Sequence, residues 1–283
     1  MEFFRKNTVA TIIVAVVVQV AATVVLMALL AATYPISVRA ENTAVAFAAE
    51  PSSEAGSSRL DSWSFLLNPD RNYVYLVNRD NPYTFGGDYD QTLQADLVYI
   101  TDDVYMDRST DLGEMSALDT PEALAYNSVR VEKAAYFAYT RLKAELKADY
   151  NVDIGLLGST AGYRVASEQQ QIYDVYGGVL PGFSDHHTGL TLSIVFLMPG
   201  ENGTSTAVVP TQEFAREHPD LIQPFLDLLP ENGFIVRFPP NKESYTGVPG
   251  IYRDIRFVGS SSRAKLLVAT DSCLEEYISG RGA

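Results

Sequence analysis

Two of the chain's three histidines stand side by side, His186 and His187, in the run Ser184-Asp-His-His-Thr-Gly189. One imidazole nitrogen can hold a metal ion while a neighbouring group orients the other nitrogen. A polar loop carrying two solvated histidines fits the same residues, and the local pattern leaves both readings open. Arg164, in Ala161-Gly-Tyr-Arg164, offers a planar fork of donors that matches a carboxylate, such as a peptide C-terminus. A buried arginine holding a core Asp or Glu is the alternative. Gln169 can fix that turn or touch a ligand, and Ser184 can cap its own turn or hydrogen-bond a ligand. Asp254 has Arg253 beside it and Arg256 two residues on, so a plain salt bridge is preferred there to metal binding. Tyr163 and Tyr252 add aromatic surface, a weak signal in a chain of 17 tyrosines.

Positioning these residues requires elements that the apolar periodicity partly discloses. Residues 154–157 (Ile-Gly-Leu-Leu) predict a strand that delivers the Arg164 segment to a turn, and residues 166–176 predict a polar-faced helix. Residues 190–196 alternate Leu190, Leu192 and Ile194 against Thr191 and Ser193, the pattern of a strand with one face buried. Residues 73–77 read as a β-rich run before the turn signal Asn78-Arg-Asp-Asn-Pro82. Residues 121–150 read as a helix with the apolar stripe Ala134, Phe137, Ala138, Leu142 and Leu146, started by Thr120-Pro121. A further helix is expected over 214–229, interrupted near Pro224, then strands at 234–238 and 253–258 and a last helical turn at 274–278. Helices and strands mix without a βαβ rhythm, so the class is α+β.

The chain of 283 residues is 47% hydrophobic and 20% charged, enough apolar material for one core. Its net charge of -14 disfavours nucleic acid and anionic lipid headgroups as partners. The single cysteine, Cys273, excludes an intrachain disulfide and reads as a buried small hydrophobe. Residues 9–32 form an apolar run interrupted only by Gln19, long enough to span a bilayer. Arg5 and Lys6 precede it and little positive charge follows, which places residues 1–8 in the cytoplasm and the body outside. A cleaved signal ending at Ala40 is the competing reading, and either way the body is exported. Residues 33–69, rich in Ala, Ser, Glu and Pro from residue 41, read as a linker ahead of a domain at 70–283.

The polar cluster and its neighbours resemble one family. Ser184-Asp-His-His-Thr-Gly-Leu-Thr-Leu-Ser193 is similar to Ser-Glu-His-Gln-Thr-Gly-Leu-Ala-Val-Asp of the zinc D-alanyl-D-alanine carboxypeptidases of the VanY type. Ala161-Gly-Tyr-Arg164 with Gln169 resembles that family's Ser-Gly-Tyr-Arg followed by Gln. Asn232-Gly-Phe-Ile-Val-Arg-Phe-Pro239, Lys242, Thr246-Gly247, Leu76-Val-Asn-Arg-Asp-Asn-Pro82 and Leu274-Glu-Glu-Tyr277 match further blocks, in order, over residues 70–278. The resemblance implies a single mixed α+β domain with a small, mostly antiparallel sheet and flanking helices, like that of DD-peptidases and Hedgehog.

The family binds one zinc through His, Asp and His, with a Glu as general base and an Arg at the developing oxyanion. Position by position, the first His falls on His186, the Asp on Ser193, the second His on Asp254 and the base Glu on Ile251; Arg164 is retained. Two zinc ligands and the base are therefore substituted. An aliphatic Ile251 accepts no proton and is expected to make that wall of the pocket apolar; losing a positioned base costs about 100- to 10,000-fold in rate. The expectation is a membrane-anchored extracytoplasmic pseudo-peptidase of a bacterial cell, without a cofactor. Its expected ligand is a peptidoglycan stem peptide or an envelope protein. The alternative is an active metallocarboxypeptidase whose zinc site is rebuilt from His186, Asp254 and either His187 or Asp185.

Overall fold

The computed structural model describes residues 61–105, 129–158, 160–200 and 205–280, all within the compact unit Ser58–Ala283. A 3-10 turn, Ser64–Leu66, precedes helix α1 (Asp88–Asp96), which runs directly into strand β1 (Leu97–Ile100), followed by β2 (Val104–Tyr105). Strand β3 (Val129–Glu132) pairs antiparallel with β1, Leu97 opposite Glu132, and passes straight into helix α2 (Lys133–Tyr150). Glu132 makes that junction: its carboxylate accepts from the amides of Ala134 and Ala135 at 2.8 and 2.9 Å, satisfying two donors that a helix start leaves open. The helix then buries Ala134, Ala138, Leu142 and Leu146, one residue per turn. Asn151, at φ 54°, stops it.

The rest of the chain builds the main sheet: β4 (Ile154–Leu157), α3 (Ala166–Tyr176), a second 3-10 turn (Asp185–Thr188), β5 (Thr191–Pro199) and β6 (Ser205–Val208). Then come α4 (Gln212–Glu217), α5 (Pro219–Glu231), β7 (Phe234–Phe238), α6 (Glu243–Thr246), β8 (Ile251–Phe257), α7 (Ser261–Ala269) and α8 (Leu274–Ile278). The sheet order is β2-β4-β5-β8-β7, with β6 also paired to β5; only β2 and β4 run parallel. The domain is thus mixed α+β with small sheets and helices. One core joins α2, β5, α5, β7 and β8 through residues such as Leu142, Phe196, Phe225, Phe234 and Phe257. Each such side chain contributes about 1.5–3 kcal/mol by leaving water.

Several local expectations are corrected. Residues 73–77 form no strand; only an isolated bridge, Asn78 to Asn81, follows them. The backbone carbonyls of Tyr73 and Tyr75 instead accept from Arg256, which removes them from any ladder. The helix expected over 121–150 begins only at Lys133, because Val129–Glu132 is taken by pairing with β1; Thr120-Pro121 lies outside the described residues. Strand β5 is buried on both faces from Thr191 to Phe196, since it lies in the middle of the sheet, so its alternation overstated its solvent face. The helix break expected near Pro224 falls at His218, ahead of Pro219 at the first turn of α5; Pro224 sits inside that helix.

The apolar run at residues 9–32 and linker residues 33–60 lie outside the described residues. Among the described residues no helix is long and apolar enough to cross a membrane. Trp63, within the stretch that composition assigned to the linker, is fully buried, edge-on to Phe257, with its indole N–H donating to the Gly259 carbonyl at 3.3 Å.

Candidate functional site

The turn Asp185–Thr188 ends at Gly189, whose φ of 69° swings the chain into β5; a Cβ there would lie 2.9 Å from Leu93. Asp185 holds the turn down. Its Oδ2 takes Arg256 Nη1 at 2.7 Å and Arg237 Nε at 3.1 Å, and accepts from the Thr191 hydroxyl. Arg256 also donates to Thr188 and to the Tyr75 carbonyl, while Arg237 pairs with Glu275 of α8 at 2.9 Å. Burial opposes ionisation of Asp185, but the two guanidiniums outweigh it and keep the carboxylate charged. Arg256 therefore pairs with Asp185, not with Asp254 as its place in the sequence suggested.

His186 is buried, and its Nδ1 donates to the Gly162 carbonyl at 2.9 Å. Since a carbonyl only accepts, Nε2 of the neutral ring carries the lone pair and points it toward Ser193 Oγ, 3.4 Å away, and Asp254 Oδ1, 3.7 Å away. Ser193 and Asp254 are direct partners across β5 and β8. Their closeness follows from that register: the Ser193 hydroxyl donates to Asp254 Oδ1 at 2.5 Å. Burial lowers the His186 pKa, and the Arg164 charge lowers it further. Burial would raise that of Asp254, yet the Arg253 charge and the Ser193 hydrogen bond hold it well below the usual carboxylate range. The three residues carried over to ligand positions, His186, Ser193 and Asp254, thus converge on one point.

Arg164 stands across from them, its pKa lowered to about 10 by burial, still a cation at neutral pH. Its Nε donates to the Thr160 carbonyl at 2.7 Å and its Nη1 to Gln169 Oε1 at 3.2 Å; Gln169 in turn donates to the Val179 carbonyl at 2.8 Å. Gln169 thereby aims the guanidinium and ties it to the segment after α3. Ser184 is buried on the cavity wall, and its side chain makes no capping bond to the turn.

These side chains line a cavity of about 720 Å³, together with Leu157, Ile172, Val179, Leu180 and Phe183 on the apolar side. Ile251, expected to make an apolar wall, is half-buried and is not among the residues that line this cavity. The wall beside Asp254 carries Arg253 instead. The cause is a slip in the β7–β8 register: from Val236 opposite Ile255 to Phe238 opposite Ile251, β7 advances two residues and β8 four. Such a bulge re-aims side chains that strict alternation would send to opposite faces. Arg253 and Asp254 then both face the cavity, with Arg253 Nε 3.5 Å from Asp254 Oδ2. Nothing in the local sequence announces this slip.

Zinc fits the donor set poorly. Four ligands at about 2.1 Å from one tetrahedral zinc stand about 3.4 Å from each other. The His186–Ser193 separation suits that spacing, but Ser193 and Asp254 sit 2.5 Å apart in a hydrogen bond. Arg253 adds a positive charge beside Asp254, its Nε 3.5 Å from Oδ2, which disfavours a second cation on that carboxylate. The reserve ligands are engaged elsewhere: Asp185 with its two arginines, and His187 through Nδ1–H to the Arg164 carbonyl at 2.7 Å and Nε2 from the Gly182 amide at 3.0 Å. Burial pushes the His187 pKa down to about 4, consistent with that neutral ring. Among the described residues no group of three His, Cys, Asp or Glu is placed to hold a metal ion.

No family model matches the chain, and no curated protein matches it in sequence. Solved structures do. The LdcB LD-carboxypeptidase, whose structure is described as revealing the molecular basis of peptidoglycan recognition, superposes with a TM-score of 0.50 at 23% identity, covering 72% of this chain and 84% of its own. A mutant of the vancomycin-resistance D,D-pentapeptidase VanY in complex with Zn(II) gives a TM-score of 0.45 at 23% identity, over 74% and 99% of the two chains. The D,D-dipeptidase VanXYg bound to a D-Ala-D-Ala phosphinate analogue gives 0.49 at 18%, over 74% and 70%. The chain therefore shares the fold of the LdcB LD-carboxypeptidase, with Arg164, Gln169, Ser184, His186, Ser193 and Asp254 of the resembling blocks lining one cavity.

Proposed function

We propose that this protein is a membrane-anchored, extracytoplasmic domain of the bacterial envelope that binds a peptidoglycan stem peptide without hydrolysing it. The observation that carries the reading is the Ser193–Asp254 hydrogen bond inside an otherwise intact cavity. It joins two positions that a zinc peptidase would hold apart around its metal, and the position where the resemblance puts the base carries an aliphatic Ile251 outside the cavity lining. Arg164, Gln169 and Ser184 remain as the polar face of a cleft whose fold is shared with a peptidoglycan-recognising carboxypeptidase. The anchor rests on the apolar run at 9–32 and the basic pair before it.

Incubating the full-length protein in detergent with a stem pentapeptide tests this reading. Saturable binding is expected, with no D-alanine released at any zinc concentration. Zinc-dependent release of D-alanine would replace the binding role with the active-peptidase alternative.

A further inference from the structure

We propose that the cavity grips the terminal carboxylate of its peptide without a metal, between Arg164 and Arg253, with Arg253 supplying the positive charge that the substituted centre no longer recruits. This deepens the peptide-binding reading and rests on it. Arg253 reaches Asp254 only through its Nε, at 3.5 Å; its side chain is 42% exposed and lines the cavity. Its two Nη groups make no hydrogen bond among the described residues, so the flat edge of the guanidinium is open to a carboxylate. Arg164 commits Nε and Nη1 to Thr160 and Gln169, which fixes its plane, and leaves Nη2 without a partner among the described residues. The two cations are near enough that Arg253 contributes to the depressed pKa of Arg164.

The charge balance favours an anion. Asp185 is neutralised by Arg237 and Arg256; beyond that network the cavity is lined by Arg164, Arg253 and the largely exposed Arg79, which stands beside Asp80, against the single carboxylate of Asp254. Asp254 is already turned to Ser193 and His186 through Oδ1 and is matched by Arg253 through Oδ2. In a chain of net charge -14, a pocket with surplus positive charge is a local feature that attracts an anionic group from solution. The opposite wall of Ile172, Val179, Leu180 and Phe183 suits an apolar C-terminal side chain. The favoured ligand is a peptide ending in a free carboxylate on a small apolar residue, and a planar fork is the donor geometry that recognises it.

Calorimetric titration of the full-length protein in detergent tests the grip, using acetyl-Lys-D-Ala-D-Ala as the free acid and as the C-terminal amide, with EDTA or with added zinc. The acid is expected to bind equally well in EDTA and in zinc, and the amide about 10-fold or more weaker, as befits loss of a charge-assisted contact. Arg253→Gln should weaken the acid about 10-fold and leave the amide unchanged, with Arg253→Lys intermediate because it keeps the charge and loses the fork. Loss of binding in EDTA, or an Arg253→Gln protein that binds the acid as tightly as wild type, overturns the metal-free grip while leaving peptide binding in place. Failure of the wild type to bind either peptide overturns both readings. A thermal melt of each variant confirms that it is folded.

Discussion

At the scale of single residues, the site turns on which atom each donor already serves. His186 keeps the tautomer of a metal-binding imidazole, Nδ1–H on the Gly162 carbonyl and Nε2 facing the cavity, although the groups facing it have changed. Ser193→Asp together with Asp254→His should supply a carboxylate and a second imidazole from directly opposed positions on β5 and β8. That double variant is expected to retain about one zinc per chain through gel filtration, measured by elemental analysis. Adding Ile251→Glu should not raise its zinc affinity, because position 251 does not line the cavity. A folded double variant free of zinc would mean that β5 and β8 no longer hold the spacing that zinc needs. His186, Arg164 and the substituted positions were legible from the resemblance alone. Arg253 was not, since its place depends on a register slip two strands must share.

At the scale of elements, the buried Asp185 does more for the turn than for any ligand. It draws Arg237 from β7 and Arg256 from β8 onto the turn that carries His186, and through Arg237 it reaches α8. Both arginine side chains are fully buried, so removing their common carboxylate strands two charges away from water. Asp185→Ala should cost about 3–5 kcal/mol, the usual cost of breaking a buried ion pair. Chemical denaturation of the full-length protein would measure it, and a loss below about 1 kcal/mol would show that the network does not hold the turn. The sequence placed this Asp beside two histidines and so suggested a spare metal ligand. Its partners lie 52 and 71 residues away (237 − 185 and 256 − 185), beyond the reach of any local pattern.

At the scale of the whole molecule, a part-buried cluster ties the N-terminal part of the domain to α2. Arg71, fully buried, donates to Asp96 Oδ2 at 2.7 Å, and Lys133 reaches Asp96 Oδ1 at 2.6 Å. Burial alone would raise the Asp96 pKa; Lys133, Asn68 and Arg71 together bring it below its ordinary 3.8. A carboxyl whose folded pKa is depressed contributes stability that is complete above its unfolded value and lost as pH falls through the folded one. Acid unfolding should therefore gain a contribution below pH 3.8 that Asp96→Asn removes, alongside a loss of about 1–2 kcal/mol at neutral pH. Unfolding free energies measured between pH 2 and 7 would show it. Parallel curves for wild type and variant would exclude this role for Asp96.

What the sequence determined by itself is what depends on short range. The apolar stripe of α2 and the strands β4, β5 and β7 follow from residues within a few places of one another, while the substituted ligand positions were implied by the family resemblance of short blocks. The tertiary structure alone decided where α2 begins, why residues 73–77 are not a strand, which carboxylate Arg256 serves and that Arg253 enters the cavity. Each of these depends on a partner far along the chain competing for the same backbone or side-chain atoms. Hydrogen bonds and buried charges are settled by whichever partner arrives with the better geometry, and that becomes known only once the strands are in register.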